Sequence, residues 1–296
     1  MVYLDPIADF LSAIRIQGVS YGRAQVNASW APPSDIGLHA KFGLISYGQV
    51  SINLSDAGVS VHLSHGDFFL IGPGRQYAVS IIDGGAPAAI IAGRFNFDEV
   101  HGRPLADLLP PLILIRGGQP QMLPLQRTLE LLASEVDGTT PGSEAAVRRL
   151  ADLLLIQALR AHMAGEHVAA EHVAGDRGQG SGWLQAFSDS QIGAALQSMH
   201  ARIDHPWTVA SLASEAGMSR SAFAQRFKEL MSEAPLEYLT RWRMYRGTYL
   251  LRESGRKLSD VAQAVGYDSD GAFHKAFKRV LGVAPGEYRR AANHSL

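Results

Sequence analysis

The feature that most narrows what this chain can be is a repeat. The segment LASEAGMSRSAFAQRFKELMSEAPLEY, residues 212–238, returns as VAQAVGYDSDGAFHKAFKRVLGVAPGEY, residues 261–288. Phe223, Phe227, Pro235, Glu237 and Tyr238 reappear as Phe273, Phe277, Pro285, Glu287 and Tyr288 at a constant offset of 50. Upstream, Leu212/Val261, Ala213/Ala262, Ala216/Val265 and Gly217/Gly266 match at an offset of 49. The one-residue difference falls in the turn, where it is cheapest. Self-similarity of this length marks one supersecondary unit used twice.

Each copy reads as helix, tight turn, helix. In the first, Thr208 caps a helix that buries Val209, Leu212, Ala213 and Ala216. Gly217 stops it, and Ser219 caps a second helix that buries Phe223, Phe227 and Leu230. In the second, Ser259 is the expected cap, Val261, Ala262 and Val265 the core, Gly266 the stop, and Ser269 the cap of the helix carrying Phe273, Phe277 and Val280. The small Ala213 and Ala262 permit close helix crossing. Between the copies, Pro235 to Glu253 reads as one helix with Pro in its first turn, with Arg241, Arg243 and Arg246 expected to face phosphates or solvent. This is the helix-turn-helix arrangement, in which the second helix enters the DNA major groove. A rigid connecting helix would set the separation of the two reading helices, so that they could enter successive grooves.

The face opposite Phe223/Phe227 and Phe273/Phe277 is the candidate reading surface. It offers Ser221 and Gln225 in the first copy, and Asp270, Gly271, His274 and Lys275 in the second. Gln225 suits adenine, and Arg220 and Arg226 suit phosphates. Ser219 and Ser269 stand at the helix starts, beside any bound backbone. The charge distribution agrees: residues 183–296 carry 15 Lys+Arg against 11 Asp+Glu, while residues 1–182 carry 12 against 17. The basic half is the one suited to a polyanion.

The first half has other textures. From about Gly37 to Phe95 short alternating segments (42–46, 50–54, 59–63, 68–71, 78–82 and 88–92) are separated by turns containing Gly, Asp and Pro, at 56–58, 65–67, 72–74 and 83–85. That spacing predicts an antiparallel barrel or sandwich. From Leu123 to Met163 the period becomes helical. Leu125, Leu129, Leu132 and Val136 form one stripe; Val147, Leu150, Leu154 and Ala158 form another, widened by Leu153, Leu155 and Ile156. Such breadth predicts burial on more than one side, either by packing against the barrel or, the favoured reading, in a subunit interface. The run GEHVAAEHVAGDRGQGSG, residues 165–182, reads as a linker. His162, His167 and His172 recur every five residues, which does not align them on one helix face.

The chain has no cysteine, so disulfides, cysteine-held zinc and thiol nucleophiles are excluded. Met1 to Gln17 lacks the basic start and apolar run of a signal peptide. No uncharged apolar stretch is long enough for a membrane span. A cytoplasmic protein is expected.

The residues around Trp207-Thr208-Val209, Ala216-Gly217-Met218-Ser219-Arg220-Ser221-Ala222-Phe223, Gln225-Arg226-Phe227-Lys228, Pro235-x-x-Tyr238-Leu239, and their counterparts Val265-Gly266-Tyr267-x-Ser269, Phe277-Lys278 and Pro285-x-x-Tyr288-Arg289 resemble the AraC family DNA-binding domain. The first half, through Asp5-Pro6-Ile7-Ala8-Asp9-Phe10-Leu11 and Leu63-x-x-Gly66-Asp67-Phe68-Phe69-Leu70-Ile71-Gly72-x-Gly74, is similar to the cupin-type sensor of such regulators. The resemblance implies an α+β chain: a cupin-like β-barrel with flanking helices over residues 1–164, used for sensing and dimerisation, the linker 165–182, and an all-α double helix-turn-helix domain over 183–296. Metal-binding cupins place a histidine where this chain has Tyr77, and the second histidine of an earlier pair where it has Lys41. Gly66 and Gly74 fit that pattern, while Gly72 replaces a proline. No metal or other cofactor is therefore expected, and no enzyme activity. Lys41, Arg75, Gln76 and Tyr77 are the expected effector-binding residues, since they sit at or beside the positions where related barrels hold ligands. The expected partners are double-stranded promoter DNA, a small-molecule effector, RNA polymerase and a second copy of the chain.

Overall fold

The computed structural model describes residues 16–29, 38–56, 58–82, 87–97, 109–136, 140–164, 186–187, 189–252 and 255–294. The residues expected to form the linker at 165–182, the opening segment 5–11, the turn at 83–85, His167 and His172 lie outside them. The chain divides into two compact units, one within Ile14–Ser181 and one within Gly182–Leu296.

The first unit contains eight described strands. These are β1 (Ile16–Val26), β2 (His39–Tyr47), β3 (Gln49–Leu54), β4 (Val59–Ser64), β5 (Phe68–Ile71), β6 (Tyr77–Ile81), β7 (Ala88–Phe97) and β8 (Leu112–Ile115). They form a five-stranded sheet in the order β1-β7-β2-β5-β8 and a three-stranded sheet in the order β4-β3-β6, paired antiparallel throughout. Strand alternation decides what goes inside. Val59, Val61 and Leu63 of β4 are buried while Ser60, His62 and Ser64 are exposed. The space between the sheets is filled by Ile45, Val50, Ile52, Leu54, Leu63, Phe69 and Ile71. Phe42 stacks with Phe95 at 4.6 Å and with Phe68 at 6.4 Å, all three fully buried. Helices α1 (Met122–Val136) and α2 (Ser143–Ala164) pack on one another, and α2 reaches β1 and β8. Asp67 ties the β4–β5 turn to the segment after β8. Its carboxylate accepts from the Gly117 amide at 2.9 Å and from Arg116 at 2.8 Å.

Two strands, β1 and β8, were not anticipated. β1 (IQGVSYGRAQV) buries little beyond Ile16 and Val26, so it carries almost no apolar alternation. The α2 stripe is also rotated from the expected one. Ala151, Leu154, Leu155, Ala158 and Leu159 are buried, whereas Val147 and Leu150 are half-buried and Leu153 is exposed.

The second unit contains α3 (Ser190–Ala201), α4 (Val209–Glu215), α5 (Arg220–Met231), α6 (Pro235–Arg252), α7 (Leu258–Ala264), α8 (Asp270–Leu281) and α9 (Pro285–His294). The repeat is built twice. Phe223 packs on Phe227 at 5.6 Å and Phe273 on Phe277 at 5.4 Å, tilted 55° and 56°. Phe227 meets the Tyr238 ring edge-on at 5.8 Å, and Phe277 meets Tyr288 likewise at 5.5 Å. Glu237 and Glu287 each accept from the amide three residues before them, at Ala234 and Ala284. The shared Pro-x-Glu-Tyr is thus a helix start that caps itself.

Thr208 caps α4 in a reciprocal capping box with Ser211. Its counterpart differs from expectation: the cap of α7 is Lys257, which makes no side-chain capping bond. Ser259 lies inside the helix, and its hydroxyl donates to Asp260. Helix α7 starts earlier because Leu258 packs against the same core as Val261 and Ala262. No described helix is long and apolar enough to cross a membrane.

Candidate functional site

Helices α5 and α8 each put one face into the core and leave the other outside. In α5, Phe223, Phe227 and Met231 are buried while Arg220, Ser221, Gln225, Arg226 and Glu229 are exposed. In α8, Phe273, Ala276 and Phe277 are buried while Asp270, Gly271, His274, Lys275, Lys278 and Arg279 are exposed. Each helix carries three cations and one carboxylate.

The side chains on these faces are not equally disposed. Gln225 Nε2 donates to Glu229 Oε1 at 3.0 Å. A carboxylate only accepts, so this contact orients the amide. Its carbonyl oxygen and second N–H stay available, the donor–acceptor pair that matches an adenine edge. Ser219 and Ser269 accept from the amides of Ala222 and Ala272 at 3.3 and 3.2 Å. Their hydroxyl oxygens act as caps, and the helix N-terminal amides beside them remain suited to phosphate. Arg226 is held by Asp189 at 3.0 Å. Burial pushes the Asp189 carboxyl up, but hydrogen bonds from Ile192, Arg226 and Gln191 outweigh it and hold the group below its usual range. Arg226 therefore braces α5 against the start of α3.

The expectation for the connecting helix is corrected at two of its three arginines. Arg241 is ion-paired with Glu233 and lies over the rings of Tyr238 and Tyr245. Arg243 donates to the carbonyl oxygens of Ile203 at 2.9 Å and His205 at 2.7 Å, and its guanidinium lies 5.8 Å from the Tyr267 ring centre. A single side chain on α6 thus joins the loop before α4 to the turn after α7. Arg243 was read as outward because its acceptors are distant in sequence, 40 and 38 residues away, whereas the partner of Arg241, Glu233, lies only eight residues back, across the turn before α6. Arg246 lies over Tyr249, 5.4 Å from its ring centre.

Below the first reading helix sits a buried histidine. His200 Nε2 lies 2.7 Å from the Tyr238 hydroxyl, and its ring stacks on Trp242 at 4.1 Å. Burial, with the nearby Arg246 charge, pulls its pKa down to about 3.

The other candidate site is a cavity of about 980 Å³ in the barrel, at the upper end of the range for small-molecule sites. It is bordered by β1, β2, β5, β6 and β7. Lys41 and Tyr77 line it, with the Lys41 ammonium 5.1 Å from the Tyr77 ring centre. Burial pushes the Tyr77 hydroxyl up to about 12, so it stays protonated. Arg75 and Gln76 are not among the described lining residues: Arg75 pairs with Asp56 at 3.0 Å, and Gln76 is exposed. Ser20, Tyr21, Gly22 and Arg94 also border the space and were missed by sequence reasoning. A polar, glycine-containing segment bounded by Ile16 and Val26 was the one available signal.

Residues 5–164 match a family described as cupin, and residues 212–291 match a helix-turn-helix domain family. A putative AraC-like transcription regulator of Streptomyces antibioticus is 31% identical over 97% of this chain and 99% of its own length. The HTH-type transcriptional regulator AlkR of Acinetobacter baylyi is 34% identical over 68% of this chain and 63% of its own. Among solved structures, the DNA-binding domain of AdpA in complex with a target DNA is 31% identical, covering 36% of this chain and 96% of that one, with a TM-score of 0.35.

Proposed function

The chain belongs to the AraC-like transcription regulators, and from that premise we propose that it binds promoter DNA through α5 and α8 and alters that binding when a small molecule occupies the barrel cavity. The observation that carries the DNA reading is the doubled motif, two capped helices with exposed polar faces on one braced unit. Ser221 and Gln225 read bases from the first helix; His274 and Lys275 do so from the second, with Asp270 and Gly271 at its start. Arg220 contacts phosphate, as do Ser219, Ser269 and the uncapped helix N-terminal amides beside them. The first unit supplies more of the specificity, because Asp270 and Gly271 offer few attractive base contacts.

The cavity supports the sensing role, with Lys41 and Tyr77 as polar contacts for the effector and Arg75 and Gln76 outside its wall. The barrel also dimerises through α1 and α2, where Leu131 and Leu153 are exposed. The protein works in the cytoplasm by binding rather than catalysis, and meets RNA polymerase at the promoter.

The test is selection of bound sequences from a random DNA library by the purified full-length protein, followed by affinity measurements across a salt series. A recurrent motif is expected, with log K falling by about 0.9 for each phosphate neutralised per decade of salt. Binding without sequence enrichment would overturn the reading. Addition of a ligand that fills the cavity should shift the affinity by no more than its preference between DNA-competent and incompetent states.

A further inference from the structure

Helix α6 serves both helix-turn-helix copies. Near its start, Tyr238 and Trp242 stack with His200 under the first copy. Further on, Met244 and Leu251 enter the core of the second with Val261, Phe273 and Phe277. A helix is stiff along its axis, but a copy packed on one side of it can still rock about that axis. Arg243 stands between the two sets of core residues, and its guanidinium spans the seam between the copies.

Both ends of that span are anchored. On the first copy, Nε donates to the Ile203 carbonyl at 2.9 Å and a terminal nitrogen to that of His205 at 2.7 Å. The segment carrying these carbonyls is locked to α4. Arg202 pairs with Glu215 of α4 at 2.7 Å and lies over Trp207, 4.5 Å from its ring centre. His205 packs edge-on against the same ring at 4.5 Å, and the Trp207 indole N–H donates to the Arg202 carbonyl at 3.0 Å. On the second copy, the guanidinium lies 5.8 Å from the centre of the Tyr267 ring. The Tyr267 amide donates to the Ala262 carbonyl of α7 at 2.9 Å, and its ring meets Phe273 of α8 edge-on at 5.8 Å. The seam itself is tight: a Cβ on Gly266 would fall 2.5 Å from the Arg243 guanidinium and 2.9 Å from the Asp204 carbonyl oxygen. The turn of the second copy therefore lies against the loop that leads into the first.

The geometry points to Arg243 as a positioning residue for DNA recognition: by pinning the loop before α4 to the turn before α8, it fixes the distance and rotation between α5 and α8, and so the spacing of the two sets of base pairs they read. It acts through the seam rather than by contact with bases. Arginine suits the task, because its planar fork donates to two carbonyls while its face meets a ring. One base pair moves a site along the duplex by about 3.4 Å and turns it by about 35°. Hydrogen bonds to bases hold over only about 2.7–3.2 Å, so two pinned helices do not follow such a shift, whereas two hinged ones do. The inference rests on the DNA-binding reading above and adds a spacing requirement to it.

The experiment takes one copy of the motif selected by the full-length protein and measures binding to duplexes with one base pair inserted or removed between its two parts. The unaltered protein is expected to lose about tenfold or more in affinity for either change, as the loss of one unit's base contacts would give. Arg243→Met keeps the stem and removes the donors; Tyr267→Leu removes the ring and leaves the charge. Each should cut the spacing penalty to about threefold or less. A merely destabilising change would weaken binding to all three duplexes alike and leave the penalty where it was. Circular dichroism checks folding; should Arg243→Met unfold, Tyr267→Leu carries the test. Indifference of the unaltered protein to the added or missing pair, a motif with only one part, or variants that keep the full penalty would overturn the positioning role while leaving DNA recognition in place. If the protein enriches no motif at all, the DNA-binding reading falls and this inference with it.

Discussion

The two helix-turn-helix units share a buried skeleton and differ where they meet the rest of the molecule. Both turn glycines are left-handed, Gly217 with φ 63° and Gly266 with φ 76°. A side chain at Gly217 would meet nothing within 4 Å, whereas at Gly266 it would come 2.5 Å from the Arg243 guanidinium and 2.9 Å from the Asp204 carbonyl oxygen. The first unit rests on His200, Tyr238 and Trp242; at the repeat offset from His200 the second has Leu250, half-buried against an apolar core. The comparison shows what duplication leaves free to change. The core spacing is kept, while the turn of the second unit has become a joint through Arg243 and the base of the first has become polar and aromatic.

The largest expected difference lies in acid. His200 is neutral in the fold, with its pKa pulled to about 3 by burial and Arg246, while in the unfolded chain it titrates near about 6.5. The unfolded state therefore takes up the proton first, and stability falls as pH drops from about 6.5 toward 3, at up to about 1.4 kcal/mol per pH unit. Denaturant titrations across that range should show the slope, and His200→Gln should remove its share. An unaltered slope in that variant would break the assignment of acid sensitivity to the first unit.

Next is the pair of turn glycines. Gly217→Ala should cost about 1–2 kcal/mol for the left-handed backbone alone. Gly266→Ala should cost about 3 kcal/mol or more, because the methyl also displaces Arg243 from the Ile203 and His205 carbonyls. Equal losses in parallel unfolding curves would mean that the joint does not distinguish the units.

Third, Gln225→Ala should relax preference at one or two base pairs by about 1–3 kcal/mol, whereas Asp270→Ala should leave the selected motif nearly intact. An unchanged motif for Gln225→Ala, or a large change for Asp270→Ala, would reverse the assignment of specificity.

The smallest effect concerns the ends of the reading helices. Ser232, after α5, is left-handed with φ 59°, and its counterpart after α8 is Gly282 with φ 78°. Ser232→Gly should stabilise by about 0.5–1 kcal/mol and Gly282→Ser should cost as much. A thermal melt resolves the two directions.

The skeleton of the double helix-turn-helix was legible because its signals are local. Phe223 and Phe227 sit one helical turn apart, and Ser219 and Ser269 each precede a helix they cap. Ser259 misled because a serine near a helix start is a cap only if the core lets the helix begin there, and Leu258 placed the start earlier. Arg243 misled for a different reason: its acceptors are backbone carbonyls 38 and 40 residues upstream, which no sequence pattern marks. In the barrel, Lys41 and Tyr77 were reached by resemblance to ligand positions. Arg75 was reached the same way but is engaged by Asp56 across a turn.

What the sequence determined by itself is the doubled helix-turn-helix, the strand-rich first half and the exposed faces of the reading helices. Helical period, strand alternation and capping act over a few residues, so the pattern and the structure obey the same short-range rule. Only the tertiary structure decided that Ser20, Arg94 and Lys41 share a row, that Gly22 opens a cavity beside them, and that Arg243 ties the two helix-turn-helix copies together. Cross-strand register and long-range hydrogen bonds join residues far apart along the chain. A cavity wall, unlike a core, also imposes no apolar alternation by which β1 could be read.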